Sequence, residues 1–314
     1  MPPSNRAVPE SKWVEGVSPA QPLSEAAQRI LQARLAAPLY WLPLAAEKSD
    51  EDVEYVHQLR VSTRRAVEAV RVFSDTIPKA AHRELRGKLR QLRRAADEAR
   101  NLDVLCADFL CCTDALCENT CGQIVQAIRN RRRDAQLPIV AIHEELAAER
   151  FSDQVSAIIE TVQFKGNGES ESSFGREAPR YLKPVLKKFF RASQADFSSD
   201  QALHQLRIRT KKLRYTMELV SSAFPPCFRE RLYSRITALQ EIMGAVNDHA
   251  TARTFFGDWI SKTDDALQEA FFRGILLAEC KAHEGLRQTF FAVYTPRAVK
   301  KLKRQFRDCC SLPP

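Results

Sequence analysis

Glycine is scarce in this chain, at 10 of 314 residues, and aromatic side chains make up only 8%. Against a background rich in Ala, Leu, Arg, Glu and Gln, that scarcity favours helix, and the expectation is an all-α protein. Long apolar runs are missing too. The longest, 35–46, is about half what a membrane span needs, and it carries Pro38 and Pro43. The first twenty residues hold no apolar core behind a basic start, which argues against a secretory signal and for a soluble, cytoplasmic protein. No GxxxxGK[ST] loop occurs and no carboxylates converge on the basic segments, so phosphoryl transfer lacks its usual metal-binding acids and phosphate cradle. The 9 cysteines include no CxxC pair, and no histidine lies close in sequence to the group at Cys106, Cys111, Cys112, Cys117 and Cys121. They read as reduced thiols packed like small apolar residues, with a metal at the shared helix face of Cys117 and Cys121 as the alternative. The expectation is therefore no enzyme, no cofactor and no metal.

What is present is positive charge and repetition. The formal net charge is +9, which attracts polyanions: nucleic acid, an anionic membrane or polyphosphate. Residues 1–23 hold five prolines and almost no apolar periodicity, so they are expected to be a disordered tail, with Trp13 and Val14 available to dock elsewhere. From Leu23 onward apolar residues recur every three and four positions. Breaks at Ser49-Asp50, 74–78, Pro138, Pro225-Pro226 and Pro296 mark helices of roughly 20 to 40 residues. The stretch KGNGESESSFG, 165–175, reads as a linker between a first helical half, 24–164, and a second, 176–314.

The halves resemble one another. VHQLRVSTRRAVEAVRVF at 56–73 and LHQLRIRTKKLRYTMELV at 203–220 lie 147 residues apart, and at the same offset LRRAADEARNLDVL at 92–105 lies over LQEIMGAVNDHATA at 239–252. Two matched segments at one gapless offset argue for duplication and for two pseudo-symmetric helical bundles.

On a helix, positions 57, 60, 64, 68 and 71 fall within about 80° of arc. That arc carries His57, Arg60, Arg64, Glu68 and Arg71 in the first half and His204, Arg207, Lys211, Tyr215 and Glu218 in the second. Arg60 with Arg64, and Arg207 with Lys211, set like charges at i and i+4, an arrangement that is unfavourable by a few tenths of a kcal/mol. A solvated charged face is the ordinary explanation of one such stripe. A repeated unfavourable one points to a bound anion that relieves the repulsion. Arg83, Arg86, Arg90 and Arg93 form a further single-face stripe, and Lys183 and Lys187 another with Arg191. Lys300, Arg304 and Arg307 near the C-terminus do the same. A histidine ahead of each motif can donate an N–H to a phosphate oxygen, Arg can donate two, and Lys supplies a point charge.

At HQLRVSTRR (57–65), HQLRIRTKKLRY (204–215), EARNLDVL (98–105) and LQEIMGAVND (239–248) the sequence resembles the CHAD family, the conserved histidine α-helical domain, over about 24–312. The resemblance implies two four-helix bundles around a central basic groove that binds inorganic polyphosphate without catalysis. It implies groove roles for His57, Arg60, Arg64, Arg65, His204, Arg207, Lys211, Lys212 and Arg214. Arg71, Arg83, Arg86, Arg90, Arg93, Lys183, Lys187 and Tyr215 are added as candidates from the stripes described above. The chain departs from the family pattern at Ala96-Asp97 and Arg100-Asn101, where members tend to have Leu-Gly and Arg-Asp. Asp103, Asn247 and Asp248 are candidates to orient the groove cations. Nucleic acid is the alternative ligand, but only Tyr215 lies on a basic stripe as a stacking platform, and no recognition signature is present. Association with polyphosphate granules would follow from the favoured reading.

Overall fold

Why the chain is helical is plain in α3, Lys79–Ala95. Leu85, Leu89 and Leu92 are buried at spacings of four and three, while Arg83, Arg86, Arg90 and Arg93 are exposed on the other side. The structure, a computed structural model, describes residues 11–112, 118–163 and 172–310, and these contain no strands. The all-α expectation holds. The chain divides into two compact units, Met1–Phe174 and Gly175–Pro314.

In the first unit α1 (Leu23–Glu47) and α2 (Glu54–Val72) pack along their lengths. Leu23, Ala27, Ile30 and Leu31 of α1 and Val56, Leu59, Ala66 and Val70 of α2 are essentially inaccessible. Each such Leu or Ile contributes about 1.5–3 kcal/mol by leaving water. That packing offsets the penalty of Pro38 and Pro43, both inside α1. After α3 come α4 (Asp97–Cys112), α5 (Glu118–Asp134), α6 (Leu137–Ala148) and α7 (Phe151–Glu160). Segmentation is finer than four helices per half, since seven α-helices precede the boundary among the described residues. Between the expected breaks at 74–78 and Pro138 the chain also breaks at Ala96, whose buried side chain sits between α3 and α4.

The second unit takes nearly all of α8 (Phe174–Ala192), then α9 (Asp200–Val220), α10 (Ser234–Ile260), α11 (Ala266–Val293) and α12 (Pro296–Cys310). Ser199 caps α9 by accepting from the Ala202 amide at 3.3 Å, satisfying one of the orphan donors of the first turn. Pro296 ends the preceding turn and opens α12, where its missing N–H costs nothing. Phe190 of α8 and Phe228 both meet the buried Phe306 of α12, edge to face.

Two expectations change, and one contact is new. Residues 11–22 of the supposed disordered tail have a defined course: the buried Arg34 guanidinium of α1 donates to the Ser11 and Lys12 carbonyls at 3.1 and 2.6 Å. Residues 1–10, and most of the 165–175 linker, lie outside the described residues. Just before α1, Pro22 and Ser173 form an antiparallel bridge, with the Leu23 amide on the Ser172 carbonyl at 3.1 Å and the Phe174 amide on Gln21 at 2.9 Å. Finally, the thiols are not uniformly reduced. Cys227 and Cys309 are disulfide-bonded, because the fold brings their Cα atoms to 6.6 Å. Cys106, Cys280 and Cys310 are free, and the side chains of Cys111, Cys112, Cys117 and Cys121 lie outside the described residues.

Candidate functional site

The first motif sits where α2 crosses the start of α4. Leu59, Thr63 and Ala66 anchor one side of α2 in the core, which turns His57, Arg60 and Arg64 away from it. Arg60 donates to the Asp97 carbonyl at 3.0 Å and to Asn101 Oδ1 at 3.1 Å, and lies 3.2 Å from the Asp97 carboxylate. Arg64 reaches the same carboxylate at 4.0 Å. Among the described residues Asp97 alone forms ion pairs with these two arginines.

Electrostatically the cluster is crowded with cations. Burial, followed by repulsion from Arg64, pushes Arg60 down to about 10 against the pull of Asp97, with Arg100 and Arg93 adding to the depression. Burial, then Arg100, holds His57 below the ordinary imidazole range; Arg60 and Arg64 add to this and Glu54 opposes it. His57 is therefore neutral near pH 7 and can donate one N–H. Five basic side chains from α2, α3 and α4 thus act on one another in a fixed frame, and an anion entering it would relieve their repulsion.

The second motif repeats the geometry with different chemistry. Arg207 of α9 lies 3.8 Å from the Asp248 carboxylate of α10, and His204 Nδ1 lies 2.8 Å from Asn247 Oδ1. Arg60 and Asn101, shifted by 147, are Arg207 and Asp248; Arg100 becomes Asn247. His204 is exposed and lines, with Arg207, an open cleft of about 590 Å³ floored by Met243 and Val246. Lys211 is half-buried and Lys212 exposed.

Other candidates are placed differently. Arg71 is engaged by the buried Glu68 through two bonds, at 2.8 and 2.6 Å. Tyr215 is 6% exposed and so presents no stacking surface. The Arg214 guanidinium lies over its ring at 4.8 Å and 3.9 Å from Glu218, which also accepts from Tyr233 at 2.8 Å. Burial opposes the Arg214 charge, but Tyr215, Glu218 and Tyr233 together hold it above its ordinary value. Arg71 and Arg214 therefore serve buried carboxylates. Asp103 does not orient a motif cation, since its carboxylate is bound by Arg132 of α5 at 2.5 Å. Arg83, Arg86, Arg90 and Arg93 remain exposed on α3, as do Lys183 and Lys187 on α8.

Sequence reasoning missed Arg100 and Asp97 as members of the cluster. Their signal was present as a departure from the family pattern, but the break at Ala96 hid which face of α4 meets α2. No group of three or more His, Cys, Asp or Glu side chains among the described residues could hold a metal. No helix among them is long and apolar enough to cross a membrane.

Comparison with known proteins adds the family. Residues 29–257 match the model of the CHAD domain. Among solved structures, the crystal structure of the CHAD domain from the plant Ricinus communis superposes with a TM-score of 0.68 at 21% identity, covering 96% of this chain and 97% of that one. PptA from Streptomyces chartreusis superposes with a TM-score of 0.61 at 15% identity, over 90% of this chain and 100% of its own. Both likenesses concern the fold. No curated protein matches the chain.

Proposed function

Because the chain belongs to the CHAD domain family, matched over 29–257, we propose that it is a non-catalytic binder of inorganic polyphosphate. The observation that carries this reading is the α2–α4 cluster, in which His57, Arg60, Arg64, Arg93 and Arg100 crowd about the single ion-paired carboxylate of Asp97. Arg65 and the exposed Arg83, Arg86 and Arg90 extend the positive field from the same unit. His204, Arg207, Lys211 and Lys212 supply a second set of contacts on α9, with Lys183 and Lys187 on α8 as outlying charges.

The mechanism is multivalent neutralisation. Successive phosphates meet successive guanidinium, ammonium and imidazole N–H groups, so affinity rises with chain length and falls with salt. Helices hold the cations in place before the ligand arrives, and little side-chain ordering remains to oppose binding. Polyphosphate carries no bases, which agrees with the burial of Tyr215, the one aromatic candidate on a basic stripe. Anchoring to polyphosphate granules follows as a cellular role.

The test is calorimetric titration with long-chain polyphosphate, short-chain polyphosphate and single-stranded DNA at about 0.15 M salt. The comparison protein carries Arg60, Arg64, Arg207 and Lys211 all changed to Ala. Tight, length-dependent polyphosphate binding that the variant loses, with DNA much weaker, is the expected result. Equal DNA affinity, or an unaffected variant, would overturn the assignment.

A further inference from the structure

The segment preceding α1 lies against the first histidine motif. Lys12 and Trp13 line an open cleft of about 600 Å³ together with His57, Gln58, Val61 and Arg65 of α2. On α2 those four positions span about 100° of arc, immediately beside the arc of His57, Arg60 and Arg64. His57 belongs to both. A chain of phosphates following the Arg60–Arg64 stripe can therefore turn past His57 into this cleft without leaving the helix surface.

The segment is held there by α1. Arg34, 5% exposed, spends two of its N–H groups on the carbonyls of Ser11 and Lys12, at 3.1 and 2.6 Å. A buried guanidinium used on bare backbone fixes the course of a stretch that has no regular structure of its own. Farther along, Gly16 takes φ +70°, a left-handed conformation, with the tip of the Arg29 side chain of α1 beside it. Between these points the Lys12 ammonium sits 5.6 Å from the centre of the Trp13 ring. The half-buried indole keeps that charge beside the cleft that both residues line.

We propose that residues 11–16 form a fixed strap that completes the anion site of the first unit, with Lys12 and Arg65 gripping a phosphate group between them across the cleft. This deepens, and rests on, the polyphosphate reading. The strap adds a cation that belongs to neither copy of the repeated motif. Among the described residues the cleft beside His204 is lined by no Lys or Arg other than Arg207 of the motif itself, and its walls carry Asp200 and Asp258. Ligand binding is accordingly asymmetric, stronger at the first motif.

The experiment uses the full chain and titrates long-chain polyphosphate into wild type, Lys12→Ala, Lys12→Arg, Arg34→Gln and Arg60→Ala/Arg64→Ala proteins at several salt concentrations. Lys12→Ala is expected to bind about fivefold to tenfold more weakly. Its salt dependence should be shallower by about 0.7, the loss of one phosphate contact. Lys12→Arg should restore both, and Arg34→Gln should reproduce the loss by releasing the strap. Thermal melting of Lys12→Ala at the wild-type temperature separates this from misfolding, since Lys12 is exposed. If wild type binds, Arg60→Ala/Arg64→Ala abolishes binding, and Lys12→Ala matches wild type in affinity and slope, the strap contributes nothing and this inference is wrong. Tighter binding by Lys12→Ala would also overturn it, by showing that the strap covers the site. Absence of wild-type binding would instead overturn the polyphosphate reading, and with it the ligand assigned to the strap.

Discussion

Arg60 donates to the Asn101 amide oxygen at 3.1 Å, and 147 residues later Arg207 faces the Asp248 carboxylate at 3.8 Å. The two pairs occupy equivalent positions in the sequence, yet Asn101 is neutral and Asp248 is charged, and the carboxylate beside Arg60 comes instead from Asp97 at 3.2 Å. Neutral acceptors orient a cation without cancelling it. Asn101 thereby adds an acceptor for Arg60 without adding a second negative charge beside Asp97. Asn101→Asp, which copies the second half, is expected to weaken polyphosphate binding about threefold to tenfold while leaving the fold intact, by analogy with an added charge contact of about 1 kcal/mol. Titration calorimetry at fixed salt reads this directly.

Asp97 is the counterion of both Arg60 and Arg64. Asp97→Asn leaves the arginines repelling each other and His57, and it should cost about 1 kcal/mol without ligand, a modest figure because the carboxylate is partly solvated. Saturating polyphosphate should shift the melting temperature of this variant more than that of wild type, since the ligand replaces the missing negative charge. Differential scanning calorimetry with and without polyphosphate measures both quantities.

The lowered His57 value carries a pH signature. With the folded value below the unfolded value of about 6.5, the unfolded chain binds more protons between the two. His57's contribution to stability is complete above the unfolded value and is lost as pH falls through the folded one. His283, lowered mainly by burial, acts in the same direction. Bound phosphates raise the His57 value, so binding near pH 6 should take up protons. Calorimetry in buffers of different ionisation enthalpy should detect the uptake, and it should diminish in His57→Gln.

The Cys227–Cys309 bond closes a sequence separation of 82 residues and fastens α12 to the segment before α10. Cys309→Ser is expected to lose about 2–4 kcal/mol of stability. Thermal unfolding with and without reductant should show the same drop for wild type on reduction and none for the variant.

The reading from sequence succeeded where periodicity and charge were local. The buried Leu85, Leu89 and Leu92 and the exposed arginines of α3 can be assigned from spacing alone, and so can the basic arc of Arg60 and Arg64. It failed where burial, or a partner from elsewhere in the chain, decided the outcome. For Arg71 and Tyr215 the deciding neighbours are local, but spacing does not show that Glu68 or Tyr215 is buried. Arg71 is drawn off by Glu68, while Tyr215 is buried beneath Arg214. Proline-rich composition made residues 11–22 look unstructured, because composition cannot register a buried Arg34 reaching back to two carbonyls. Cys227 and Cys309 are far apart in sequence, and only the tertiary fold brings them together.

The bridge between Pro22 and Ser173 fixes an order of events during synthesis. The entrance to α1 leaves the ribosome well before its backbone partner, which emerges only once the rest of the first half has been made. Until then α1 and α2 can pair, while the Leu23 amide has only water to bond. The bridge sits one residue ahead of α8, so the stitch that closes the first half also marks where the next helix begins.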